Sequence, residues 1–160
     1  MSRPTALTLT EKAWEEISRH GVETFPEECC GVILYNGKTD EVRRCTNIQN
    51  TKHAENPELY PRDATIAYCM DDKEFGAIMR EAESTGAAIK AFYHSHPQHG
   101  AYFSEEDKAS ACALGEPTYP ESAQIVISIY DRVVREICTY VWAPDKKDFV
   151  EIRIRKISSP

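Results

Sequence analysis

The chain has 160 residues, a formal net charge of -7, 41% hydrophobic residues and 28% charged residues. That length supports one domain with a real core, and that composition is globular rather than disordered. No Lys/Arg block or stripe exists to neutralise phosphates, so a nucleic-acid partner is not expected.

The N-terminus, MSRPTALTLTEKAW, lacks an apolar run of the length a signal peptide or membrane span needs. A cytoplasmic protein with no membrane partner is therefore expected. Six cysteines stand at 29, 30, 45, 69, 112 and 138, without a Cys-x-x-Cys pair. They read as reduced, small hydrophobes in a reducing compartment.

Thr10 is placed to cap a helix running to about Glu23, with Ala13, Trp14, Ile17 and Val22 as its apolar stripe. Phe25-Pro26 ends it. Cys29 to Tyr35 reads as a buried strand, Asn36-Gly37 as a hairpin turn, and Glu41 to Asn47 as the returning strand. Residues 48–70 are polar, carry Pro57 and Pro61, and read as a long loop of the kind that is often functional. Asp71 or Asp72 caps a helix through Phe75, Ile78, Met79 and Ala82 that stops near Gly86. Ala88 to Tyr93 is a strand running into His94. Ser104 opens a helix to about Leu114. Ala123 to Tyr130 and Val133 to Trp142 form a hairpin turning at Asp131-Arg132. Phe149 to Ile157 alternates as a half-buried strand. This order predicts a single domain over residues 1–160, an α/β sandwich with a mixed sheet.

His94-Ser95-His96-Pro97, followed by Ser104 and Asp107, carries the chemistry. On a strand, residues i and i+2 share a face, so His94 and His96 can address one metal while Ser95 points away. Ser104 fits a helix N-cap and Asp107 the third helical position, which aims the Asp107 carboxylate back at the strand end. Two neutral nitrogens and one anionic oxygen are a usual ligand set for a catalytic zinc that keeps one position open. Each element alone has a plainer reading: a lone loop histidine, or acids that suit any helix start. Their combination favours one zinc per chain. Glu28, just before the buried strand, is on composition one acid among many.

The spacing of His94, His96, Ser104 and Asp107 resembles the JAMM (MPN+) metalloprotease motif, and Glu28-Cys29-Cys30-Gly31 resembles that family's Glu-x-Cys-Gly element. The bacterial branch is the nearer likeness, through Ala101-Tyr102-Phe103-Ser104 and the short length; it includes peptidases that release cysteine from a sulfur-carrier protein. The resemblance implies a mixed, curved sheet flanked by helices, in the cytidine-deaminase-like class. It implies a zinc peptidase or isopeptidase, acting through zinc-activated water on the amide after the C-terminal glycine of a ubiquitin-like or sulfur-carrier protein. His94, His96 and Asp107 would bind zinc, Glu28 would be the general base, and Ser104 would steady the oxyanion. The span between Leu114 and Ala123 leaves no room for the second insertion of linkage-specific deubiquitinating members.

The 48–70 loop is the candidate groove for an extended substrate tail, with His53 and His99 in rim loops. Cys30 reads as core rather than nucleophile. Three rivals remain: a scaffold module of the same fold without catalysis, a phage-tail or cell-wall peptidase, and a nucleoside deaminase. The last lacks its His-x-Glu and Pro-Cys-x-x-Cys pattern here.

Overall fold

A computed structural model describes residues 3–160. Strands β1 (Ala6–Thr10), β2 (Cys30–Tyr35), β3 (Asp40–Cys45), β4 (Ala88–Pro97), β7 (Ala123–Tyr130), β8 (Val133–Ala143) and β9 (Asp148–Ile157) form one seven-stranded sheet in the order β1-β9-β8-β7-β4-β2-β3. The sheet is mixed, because β4–β7 and β1–β9 are parallel pairs and the rest are antiparallel. Helices α1 (Glu11–Thr24), α2 (Gln49–Glu55), α3 (Asp72–Thr85) and α4 (Glu105–Ala111) flank it, and a two-stranded ribbon, β5 (Cys112–Ala113) and β6 (Glu116–Pro117), stands apart.

Local chemistry sets most of these limits. Thr10 caps α1 by accepting a hydrogen bond from the Ala13 amide at 3.2 Å, which satisfies one of the unpaired amides of the first turn. Asp71 does the same for α3 through the Glu74 amide at 3.0 Å, and Gly86 closes that helix with φ of 75°, a conformation glycine adopts without strain.

The two faces of the sheet carry separate cores. Ile17 of α1 packs with Ile33, Ala91, Tyr93, Ile125, Ile127 and Ile129 on one face. On the other, Ile78 and Ala82 of α3 pack with Cys30, Val32, Leu34 and Phe92. Full burial of each large aliphatic side chain is worth about 1.5–3 kcal/mol. The alternation of β4 therefore assigns Ala91, Tyr93 and Ser95 to the α1 face and Phe92, His94 and His96 to the opposite one.

Several boundaries differ from the sequence expectation. Ala6–Thr10 is an edge strand with no counterpart in that reading; it is only five residues long and its pairing partner, β9, lies at the far end of the chain. Residues 48–70 are not a loop throughout, since α2 occupies the first third. The Ser104 helix stops at Ala111 because Leu114 and Gly115 both adopt positive φ to turn the β5–β6 ribbon. The hairpin after β2 spans four residues, and Asn36 Oδ1 accepts the amides of Lys38 and Thr39, so the asparagine closes the turn from its first position.

Gly31 shows how tight the α1-face core is. A Cβ there would fall inside the ring of Tyr93. Tyr93 cannot yield readily, because it is fully buried and its hydroxyl is held by His20 Nδ1 at 2.7 Å. Gly31→Ala is expected to destabilise the fold by about 1–3 kcal/mol, read as a lower denaturation midpoint at an unchanged denaturant slope.

Candidate metal centre

His94 and His96 sit at the end of β4 on the face away from α1, and Ser95 turns inward, where its Oγ accepts the Cys29 amide at 2.7 Å. Asp107 arrives from α4. Ser104 is the N-cap of that helix: its Oγ accepts the Asp107 amide at 3.0 Å, and Asp107 Oδ2 accepts the Ser104 amide at 3.0 Å. This reciprocal capping box locks the carboxylate against the helix start and directs the same oxygen at both imidazoles. The distances are 3.1 Å from His94 Nε2 to Asp107 Oδ2, 3.2 Å from His96 Nε2 to the same oxygen, and 3.1 Å between the two nitrogens. All three residues are buried.

The ring of His96 has an assigned orientation. Its Nδ1 lies 2.9 Å from the Gly100 carbonyl oxygen, an acceptor only, so Nδ1 donates and Nε2 is left with its lone pair toward the cluster. Burial holds His94 in its neutral form, against the pull of Asp107. For His96 burial works in the same direction, but the hydrogen bonds to Asp107 and Gly100 outweigh it and raise the pKa. Burial opposes the ionised form of Asp107 too, yet the two imidazoles hold its carboxyl well below the usual range. A buried His-His-carboxylate group with converging lone pairs could bind a metal ion.

Glu28 and Ser104 line the same cleft as His96 and Asp107, a concavity of about 490 Å³. Glu28 is 5% exposed, and its Oε1 has no hydrogen-bond partner. Burial drives its carboxyl up to about 8; Asp107 adds to the rise, while His96 and Arg62 oppose it. Its backbone is held on both sides, since the Glu28 amide donates to Ala64 O at 2.8 Å and Asn47 Nδ2 donates to Glu28 O at 2.9 Å. The capping role uses an acceptor site on Ser104 Oγ and leaves its hydroxyl proton free to donate.

The 48–70 segment does border the cleft, through Gln49, Leu59, Arg62, Ile66 and Tyr68. His99 lies on the rim, whereas His53 Nδ1 binds Tyr60 O at 2.6 Å and pins the segment to itself. Cys30 is buried in the α3-side core, and desolvation pushes its thiol far above the usual range, so it is no nucleophile. The sequence reading did not single out Asn47 or Tyr68. Tyr68 stacks on His94 with ring centroids 4.6 Å apart, a contact between distant segments that no local spacing announces.

A family model described as prokaryotic homologs of the JAB domain matches residues 10–151. Over 105 residues the chain is 27% identical to tail tip assembly protein K of Escherichia phage N15; the match takes in 66% of this chain and 36% of that protein. The chain thus spans little more than a third of that curated relative. A solution structure of a protein from Desulfitobacterium hafniense superposes with a TM-score of 0.68 at 21% identity, over 94% of this chain and 92% of that one. Another, from Salinibacter ruber, gives 0.61 at 22% identity over the same shares. These two likenesses are of fold.

Glu28 carries a stability signature. Its unfolded carboxyl titrates near 4.5 and its folded one near 8, so between those values the folded state binds more protons and stability falls as pH rises. In metal-free protein, Glu28→Gln is expected to remove that loss. The difference in unfolding free energy between variant and wild type should grow in the variant's favour from pH 5 to pH 8.

Proposed function

This chain belongs to the family of prokaryotic homologs of the JAB domain, and from that premise we propose that it is a zinc-dependent metallopeptidase. Its substrate is the amide bond after the C-terminal glycine of a ubiquitin-like or sulfur-carrier protein. The observation that carries the reading is a buried His94-His96-Asp107 triangle, two of whose members, His96 and Asp107, line the cleft that also holds the buried, unpartnered Glu28 oxygen. A scaffold module has no use for a carboxyl group buried without a hydrogen-bond partner.

The donor set fits zinc. Two imidazole nitrogens and one carboxylate oxygen are its usual catalytic ligands, and a tetrahedral shell with bonds of about 2.0–2.1 Å has ligand–ligand edges of about 3.3 Å. The edges here are 3.1–3.2 Å. His94, His96 and Asp107 would hold one zinc per chain. When bound, zinc supplies a Lewis acid and brings the acidity of a coordinated water toward neutrality.

The protein's own residues supply the rest. With its carboxyl ionised, as a cation held by the triangle would favour, Glu28 Oε1 takes the proton from the attacking water and later gives it to the departing amine. The water oxygen bonds to the amide carbon, and the carbon–nitrogen bond breaks. The Ser104 hydroxyl donates to the oxygen that gains charge as the carbon becomes tetrahedral. Gly100 O keeps His96 in the tautomer that presents Nε2. The cleft bordered by residues 48–70 receives the extended tail, and the apolar Leu59 and Ile66, both exposed, face the body of the substrate.

No helix among the described residues is long and apolar enough to cross a membrane, and all six cysteines are free thiols. The free thiols fit the reducing conditions of a cytoplasmic site of action. The similarity to a tail tip assembly protein favours a second reading, in which the same chemistry acts as a phage-tail or cell-wall peptidase.

The test is incubation with small ubiquitin-like proteins carrying C-terminal extensions beyond Gly-Gly, beside peptidoglycan fragments, followed by intact mass with and without a chelator. Loss of the extension, abolished by the chelator, is expected, with about one zinc per chain. Glu28→Gln should keep zinc and fold while turnover falls about 10²–10⁴-fold; Asp107→Ala should lose zinc. Cleavage of peptidoglycan fragments alone would select the second reading, and chelator-resistant cleavage would remove the zinc mechanism.

A further inference from the structure

The two histidines of the triangle are held in different ways. His96 is tied through Nδ1 to the Gly100 carbonyl and meets Tyr102 edge-on at 5.2 Å. His94 is instead covered by an aromatic face: Tyr68 stacks on it at 4.6 Å with an interplanar angle of 27°, and Phe103 stands tilted at 6.5 Å on the same ring. Stacked rings at that separation attract beyond their buried area, by about 0.5–1.5 kcal/mol.

Tyr68 does not reach His94 by chance of a mobile loop. The residues on either side of it are fastened by one side chain, Asn47. Its Nδ2 donates to Ala67 O at 3.2 Å and to Glu28 O at 2.9 Å, and its Oδ1 accepts the amides of Cys69 at 3.0 Å and Gln49 at 3.0 Å. Asn47 also forms a bridge with Met70. The same amide that seats the backbone of Glu28 thus seats the backbone around Tyr68.

We propose that Tyr68 is a positioning residue of the metal centre, fixing the plane of the His94 imidazole by stacking as Gly100 fixes that of His96 by hydrogen bonding. It acts through His94 and touches no reacting atom. The inference rests on the metal reading of the site, but the stack is a property of the metal-free protein. It assigns to the 48–70 segment a task besides bordering the groove: it completes the support of the ligand set. The face of the ring does the work, so the phenol oxygen is dispensable.

Two variants separate this from general packing. Tyr68→Phe keeps the ring; Tyr68→Leu keeps apolar bulk against the α3-side core, where Tyr68 also packs, but removes the π face. In metal-free protein the carbon-bound ring protons of His94, shielded by the stack, should move downfield in Tyr68→Leu and stay in place in Tyr68→Phe. Zinc affinity, measured by competition with a chelator, should fall roughly 10–100-fold in Tyr68→Leu and hold in Tyr68→Phe. The metal-free unfolding temperature of Tyr68→Leu should fall below that of Tyr68→Phe by only a few degrees, the worth of the lost stack. Unchanged His94 resonances and wild-type zinc affinity in Tyr68→Leu would overturn the inference, as would an equal loss in Tyr68→Phe. If the wild type takes up no zinc, the metal reading fails, and the resonance comparison alone decides whether Tyr68 holds His94.

Discussion

Three lone-pair atoms are confined within 3.1–3.2 Å of one another in a space from which water is largely removed, and the rest of the molecule is arranged to hold them there. Such a cluster is unfavourable by itself, because nitrogens and a carboxylate oxygen crowd with few protons to share. It persists because each member is fixed by backbone geometry rather than by its own side-chain preference. The period of a strand puts His94 and His96 on one face. The register of β4 between β2 and β7, with Cys30 opposite His94 and Ser128 opposite His96, sets their height. The capping box sets Asp107. The backbone of none of the three can shift without unpairing these ladder and capping bonds.

The parallel β4–β7 pair matters for the same reason. A parallel connection needs a crossover, and here the crossover between residues 98 and 122 contains α4. The topology therefore delivers a helix N-terminus to the end of the strand that bears the histidines. Ser128 of β7 donates to the His99 carbonyl, and Tyr140 of β8 donates to Ala101 O at 2.6 Å. The turn that leads from His96 to Ser104 is thus tied to the sheet along its length. Phe103 then drops into a small core with Val126, Cys138 and Phe149, which anchors the start of α4 from beneath.

Much of the triangle was legible in the sequence because its determinants are local. His-x-His reads out the strand period, and Ser-x-x-Asp reads out the helix cap; both rules act over fewer than five residues. Helices α1 and α3 were legible for the same reason, through Thr10, Asp71 and Gly86, and the principal strands through their apolar runs. What depended on distant pairing was not. Strand β1 alternates Leu7-Thr8-Leu9-Thr10, but over too short a run to stand apart from the start of α1, and its pairing with β9 makes it a strand. The α2 turn in the 48–70 segment has no side-chain cap, its cap residue being Ile48, so nothing at its start announced it. Glu28 stood out only by resemblance, since burial of an acid is decided by what folds over it. Tyr68 and Asn47 have no local signature at all.

Glu28 shows why those non-local pieces matter. An acid kept from water without a partner is a standing cost, and the chain bears it with backbone bonds on each side: Ala64 accepts from its amide, and Asn47 donates to its carbonyl. Asn47 spends all its hydrogen-bonding groups on four backbone partners, two acceptors and two amides. One half-buried side-chain amide therefore couples the Glu28 segment just before β2 to the segment that carries Tyr68, and through the stacked ring to His94. Glu28 and His94 are thus tied to a common element, a main-chain network that holds the backbone on both sides of the cleft. That shared anchor is the physical reason a small domain can hold so many buried polar side chains together at one end of a single sheet.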